Sequence, residues 1–111
     1  MDALDTYRQL VEAILMEYTR IPYAYGEIQT EAVFDRKHDR YLLVNVGWDN
    51  GQRVHGCLVH IDILNGKLWI QRDGTEHGIA KELVQAGVPK DHIVLGFRPT
   101  AVRQHTEYAV A

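Results

Sequence analysis

Residues 40–71 read RYLLVNVGWDNGQRVHGCLVHIDILNGKLWIQ. Two Asn-Gly pairs, Asn50-Gly51 and Asn65-Gly66, interrupt the apolar runs of this stretch. Asn-Gly accepts positive φ at both central positions of a type I′ turn, so each pair should close a two-residue hairpin. The stretch therefore predicts three strands that follow one another in an antiparallel meander.

The two turns also predict which side chains face each other across the strands. They set Val46 opposite His55, Val44 opposite Cys57, Leu42 opposite Val59, Ile63 opposite Leu68 and Ile61 opposite Ile70. Because the side chains of a strand alternate between its two faces, this register predicts one apolar face that should be the core. The predicted core face consists of Leu42, Val44, Val46, Cys57, Val59, Ile61, Ile63, Leu68 and Ile70.

The opposite face of these strands mixes apolar and polar side chains. It is predicted to carry Tyr41, Leu43, Asn45, Leu58, His60, Asp62, Trp69 and Gln71. Such a face is too apolar for full exposure to water and too polar for a second core. We expect the second helix, the C-terminal tail or another protein chain to cover part of it. The candidate partner-binding residues are Tyr41, Leu58, His60, Asp62, Trp69 and Gln71.

The residues before this stretch predict a helix and one further strand. Apolar side chains recur at the helical spacing of three and four over residues 2–18, with Asp2 as N-cap, and Pro22 should end the helix near Arg20. A strand over residues 27–34 follows. Whether the face that contains Ile28 and Phe34 joins the core depends on a bulge in the loop of residues 35–39, which the sequence leaves open.

The residues after this stretch predict a second helix over residues 77–86. Asp73 or Thr75 should cap its start, and Gly87 should follow its end as the C′ residue. A short apolar strand, Ile93–Leu95, and an extended tail complete the chain. The prediction is one α+β domain over residues 1–111: an N-terminal helix, a four-stranded antiparallel meander, a second helix, a short C-terminal strand and an extended tail.

Composition and charge restrict the classes of function. Hydrophobic residues make up 46% of the chain and the formal net charge is -3, as expected for a folded domain and not for a stand-alone DNA-binding protein, which normally has a basic surface. We interpret the basic side chains of the first turn and the tail as solvated charges; they include Arg36, Arg98 and Arg103. The single Cys57 allows no internal disulfide and no thiolate zinc site, and we expect a cytoplasmic protein without a signal peptide or membrane span.

The candidate chemistry is limited to one polar pair. His60 and Asp62 lie two residues apart and should share a strand face, where a hydrogen-bonded polar patch is the favoured interpretation over a ligand or metal site. The spacing supplies no third metal ligand, and Cys57 lacks an activating base among its sequence neighbours. We therefore predict no catalytic residue, no metal and no cofactor. An uncharacterised enzyme that uses His60, Asp62, Trp69 and Gln71 is kept as an alternative.

Several segments, in order through nearly the whole chain, resemble the XisI family. They are GWD at 47–49, GCLVHIDI at 56–63, GKLWIQ at 66–71, TE at 75–76, GVPK at 87–90, IVLGF at 93–97 and TEYAV at 106–110. Their colinearity is more specific than any single segment.

The resemblance implies an α+β fold and a role as controlling factor in the excision of the fdxN element, a DNA rearrangement of cyanobacterial heterocyst development. It also implies a companion protein, XisH, while a separate recombinase performs strand exchange, and it supplies no catalytic residue. We expect a non-catalytic accessory protein that acts through an XisH-like partner, with a homo-oligomer as the alternative assembly. A DNA-binding directionality factor is the alternative, which the acidic charge disfavours.

Overall fold

The sheet and its flanking helices follow the predicted order along the chain. The structure, a computed structural model, describes residues 3–21 and 26–111. Its elements are α1 (Ala3–Thr19), β1 (Glu27–Asp35), β2 (Arg40–Asp49), β3 (Gln52–Leu64), β4 (Lys67–Asp73), α2 (Ile79–Gln85), a 3-10 turn (Lys90–His92), β5 (Ile93–Leu95) and α3 (Thr100–Arg103). The predicted α+β fold is confirmed. The predicted N-cap, Asp2, lies outside the described residues.

The strands form one sheet in the order β1-β2-β3-β4-β5. The first four pair antiparallel, and β5 adds parallel to β4. Asn50, Gly51, Asn65 and Gly66 all have positive φ, which confirms the two predicted hairpin turns. The tail is not extended throughout, because Thr100–Arg103 forms a short helix before Ala109 bridges to Val94 of β5.

A β-bulge in β3 changes the predicted core face. Val44 pairs with Cys57 as predicted, but Leu43 and not Leu42 pairs with Val59, so that Leu58 has no partner on β2. One extra residue on β3 reverses which β2 side chains share a face with the residues from Val59 onward. Tyr41 and Leu43 are therefore buried in the core. The prediction was wrong for Leu42, Val44, Val46 and Cys57, and right for Val59, Ile61, Ile63, Leu68 and Ile70.

The core lies between one face of the sheet and the two longer helices. α1 buries Tyr7, Val11 and Leu15 there, and four further apolar residues of this helix pack beside them: Leu4, Leu10, Ile14 and Tyr18. Phe34 and Ala32 of β1 also pack against the core, which answers the open question about β1. The register of β1 with β2 runs without a bulge from Glu27 to Asp35.

The residues predicted to cap α2 contact its start, but the N-cap itself is Gly78 and not Asp73 or Thr75. Asp73 Oδ2 accepts a hydrogen bond from the N–H of Ile79 at 2.8 Å, and Thr75 Oγ1 accepts one from the N–H of Gly78 at 3.2 Å. α2 therefore begins at Ile79, two residues later than predicted. Gly87 has a φ of 106° and follows the helix as predicted. Among the described helices none is long and apolar enough to cross a membrane.

Candidate functional site

The sheet face that points away from α1 and α2 is the candidate functional surface, called the outer face below. Cross-strand pairing places Val33 beside Leu42 and Leu42 beside His60, and these pairs define the face. It contains Glu27, Gln29, Glu31, Val33 and Asp35 of β1, Leu42, Val44, Val46 and Trp48 of β2, Arg53, His55, Cys57, His60 and Asp62 of β3, and Trp69 and Gln71 of β4.

Two of the six predicted partner-binding residues do not lie on the outer face. Tyr41 is fully buried on the core side, where its hydroxyl donates to Asp39 Oδ1 at 3.1 Å. Burial and the Asp39 carboxylate raise the pKa of Tyr41 to about 12, so it stays neutral. Leu58, the bulge residue, packs against the core. Their predicted place on this face was wrong. The bulge exchanges the faces of β2, which moves Tyr41 to the core side, and it leaves Leu58 itself without a partner on β2.

The other four predicted residues come together at one end of the outer face. His60 Nε2 lies 2.8 Å from Asp62 Oδ1, and Gln71 Nε2 donates to Asp62 Oδ2 at 3.3 Å. Both oxygens of Asp62 are thus engaged, and its side chain is only 14% exposed. In the described ranges no three His, Cys, Asp or Glu side chains gather into a group that could hold a metal ion. The cluster can supply directed hydrogen bonds to a partner through the more exposed His60.

The C-terminal tail covers Trp69 at the same end. The Arg103 guanidinium carbon lies 5.4 Å from the Trp69 ring centroid, a cation–π distance. Arg103 also donates to the carbonyl oxygens of Arg98 at 2.9 Å and Val110 at 2.6 Å. A Cβ on Gly96 would lie 3.2 Å from the Trp69 ring. Coverage by the tail, one of the three alternatives raised by the sequence, therefore applies to Trp69.

The rest of the outer face, over β1 to β3, keeps apolar side chains in contact with water. Val33 is 48% exposed and Trp48 is 52% exposed, while Leu42, Val44 and Val46 are half-buried. The Arg53 guanidinium carbon lies 5.2 Å from the Trp48 ring centroid. Sequence reasoning missed this surface because it placed the three β2 residues in the core. The adjacent apolar pair Leu42-Leu43 gave no signal for choosing between the two faces.

The side chains considered for nucleic-acid binding or nucleophilic chemistry form contacts within the chain or are partly buried. Arg36 forms an ion pair with Glu12 at 2.7 Å, and this guanidinium lowers the pKa of the Glu12 carboxyl. Arg103 is held by the tail, as described above. Burial raises the pKa of the Cys57 thiol, which disfavours the reactive thiolate. These contacts give no support to a basic nucleic-acid surface around Arg36 or to a nucleophilic role for Cys57.

Comparisons with known proteins agree with one another. The family model described as XisI protein matches residues 1–110. The crystal structure of a XisI-like protein from Anabaena variabilis ATCC 29413 is 36% identical, has a TM-score of 0.89, and the match covers 97% of this chain and 99% of that chain. The fdxN element excision controlling factor XisI from Anabaena variabilis ATCC 29413 is 33% identical, with a TM-score of 0.84 over 99% of this chain and 100% of that chain.

A search among curated proteins found no significant match. The family match spans nearly the whole chain, and both solved relatives share its fold over nearly their full lengths. The chain belongs to the XisI protein family.

Proposed function

We propose that this chain is a non-catalytic controlling factor in the excision of a DNA element and that it acts by binding a protein partner. The support for excision is its relationship to the fdxN element excision controlling factor XisI. The support for a binding role is the outer face, where apolar and hydrogen-bonding side chains lie side by side. An acidic net charge of -3 suits a protein partner better than duplex DNA.

The observation that carries the proposal is the half-exposure of two apolar side chains of the outer face: Val33, beside Leu42, and Trp48, toward the other end of β2. When a second protein removes apolar side chains in this arrangement from water, their burial stabilises the complex. Trp and Arg are enriched among the residues that dominate binding energies, and Trp48 with Arg53 stacked over it offers both.

The polar cluster of His60, Asp62 and Gln71 lies at the border of this apolar surface. A binding surface of this kind has an apolar centre for affinity and a polar rim for orientation. His60 lies directly across from Leu42, so that a partner seated on Leu42 would reach the imidazole. The partner we propose is an XisH-like protein, with a second copy of this chain as the alternative occupant.

The experiment is a binding titration between the full chain and an XisH-like protein from the same genome. Val44→Lys places a charge in the apolar centre of the outer face, and we expect it to weaken binding by at least ~10-fold, which is about 1.4 kcal/mol. Met16→Lys is the control, because Met16 is an exposed apolar residue of α1, on the opposite side of the sheet from the outer face. Circular dichroism should show that both variants are folded.

Two results would contradict the proposal. One is binding of the XisH-like protein that neither Val44→Lys nor His60→Ala weakens. The other is the absence of binding to the unmodified chain by both co-purification and calorimetry. Trp69→Ala provides a separate readout: because Arg103 covers Trp69 within the chain, the variant should lower the melting temperature more than it changes the affinity.

A further inference from the structure

The edge of β1 that faces away from β2 has features of a strand-binding site. β1 is an outermost strand of the sheet, and no described residue pairs with this edge. In an antiparallel ladder every second residue directs its N–H and C=O groups away from the neighbouring strand. An edge strand of 9 residues therefore offers several backbone donors and acceptors to an added strand.

The two edges of the sheet are built differently. β5 at the opposite edge has only 3 residues, and the tail bridges to it through Ala109. β1 has no proline, no lysine and no bulge, which are common devices that keep edge strands from pairing. The chain thus shortens and covers one edge while leaving a long, regular strand at the other.

The side chains of β1 indicate the charge of the strand that would pair with it. Glu27, Glu31 and Asp35 lie on the outer side of β1, separated by Gln29 and Val33, which share this side. Glu31 lies beside Val44. Asp35 is engaged by His38 at 2.7 Å, whereas Glu27 and Glu31 form no ion pair with any residue that the structure describes. This row attracts basic side chains at every second or fourth position of a neighbouring strand.

The same row disfavours a second copy of this chain as the occupant. Pairing of β1 with β1 of a second molecule would bring two such acidic rows onto one face of adjoining strands. Like charges at directly opposed or diagonal positions of a sheet are destabilising. Opposite charge across the new ladder removes this repulsion, and only a different, basic strand can supply it.

A concavity beside β1 gives room for the side chains on the other side of such a strand. It measures about 450 Å³ and is lined by Thr19, Arg20 and Ile21 at the end of α1 and by residues 28–31 of β1. Ile21 is 59% exposed. An apolar side chain that alternates with the basic ones could therefore bury against Ile21.

We propose that β1 binds a basic, alternating strand of a partner protein by adding it to the sheet edge. This inference goes beyond the proposed function, since it uses the backbone edge and the acidic side chains of β1, whereas the proposed function uses the apolar side chains of the outer face. Its test uses a defined peptide and needs no XisH-like protein, so either proposal can fail without the other.

The probe is a synthetic peptide that alternates Lys and Val over the 9-residue length of β1. We expect it to bind the full chain with a Kd below ~1 mM and to slow hydrogen exchange at β1 amides. Glu31→Lys should weaken binding by at least ~10-fold. Glu76→Lys, which makes the same change in net charge at an exposed site before α2, should leave the Kd within about twofold. Glu27→Lys repeats the test if Glu31→Lys is not folded.

Five results would overturn the proposal. A peptide of the same charge with Pro at its central positions should not bind, and equal binding would show ionic adhesion without strand addition. Equal losses for Glu31→Lys and Glu76→Lys would assign the effect to net charge. Protection from exchange outside β1, or no binding up to ~1 mM, would exclude the edge. Dimers of the unmodified chain that dissociate on addition of the peptide would identify a second copy as the occupant.

Discussion

Arg8 of α1 and Asp39, in the turn before β2, form a two-point ion pair. Arg8 Nε donates to Asp39 Oδ1 at 2.8 Å and Nη2 donates to Oδ2 at 3.1 Å. Asp39 has a positive φ of 53°, and its carbonyl oxygen accepts the N–H of Ile63 at 2.9 Å. The same carboxylate accepts the Tyr41 hydroxyl. One turn residue thus ties α1 to β2 and β3.

Asp39→Asn should reduce the dependence of the folding stability on pH in the acidic range. The hydrogen bonds from Arg8 hold the pKa of Asp39 below its usual value, so the ionised form stabilises the fold at pH above ~4. This stabilisation is lost as the pH falls through the lowered pKa of the folded state. Asp39→Asn lacks it at every pH.

The measurement is the urea midpoint of both proteins between pH 7 and pH 2.5. We expect a lower midpoint for Asp39→Asn at neutral pH and converging midpoints below about pH 4. A difference that stays constant over the whole range would show that the charge of Asp39 contributes nothing.

Paired alanine variants on β2 test the bulge. Leu43 is fully buried whereas Leu42 is half-buried on the outer face. Leu43→Ala should lower the free energy of unfolding by about 2–5 kcal/mol, and Leu42→Ala by less than ~1.5 kcal/mol. Ile61→Ala, at a fully buried position shared by both registers, should match Leu43→Ala. Denaturant unfolding measures all three, and a reversed order of Leu42 and Leu43 would restore the bulge-free register.

Gly47 should tolerate no side chain. A Cβ at this position would lie 2.0 Å from the carbonyl oxygen of Glu27 on β1, a backbone atom that cannot move without parting the strands. We expect Gly47→Ala to destabilise the fold by about 1–3 kcal/mol. Gly56→Ala is the control on β3, because a Cβ there meets no atom within 4 Å. Similar melting temperatures for the two variants would contradict the close approach of β1 to β2.

The chain alone should bind duplex DNA no more tightly than ~10 μM at physiological salt. Its net charge is -3, and the Arg36 and Arg103 guanidinium groups are engaged within the chain. Fluorescence anisotropy with a labelled duplex measures this affinity. Tight binding that falls steeply with added salt would reveal a basic surface and favour the directionality-factor alternative.

Features set by local conformation were predictable from the sequence. Asn50-Gly51 and Asn65-Gly66 form their turns because these dipeptides accept positive φ wherever they occur, and the three-and-four spacing of α1 selects its buried side. The pairings next to each turn were right for the same reason, since a two-residue turn leaves no freedom in its first pairs. The positions of His60, Asp62, Trp69 and Gln71 on the outer face followed from these pairings.

Features set by packing between distant residues needed the tertiary structure. Leu42-Leu43 and Leu58-Val59 are adjacent apolar pairs, so either face of β2 could enter the core at similar cost in buried apolar area, and the bulge at Leu58 decides between them. The cover of Trp69 by Arg103 depends on where a tail more than 30 residues away along the chain returns. By itself the sequence determined the two hairpin turns, the presence of α1 and α2, and the family. The tertiary structure decided which side chains the outer face presents, because a strand pattern with apolar residues on both faces satisfies two registers equally well.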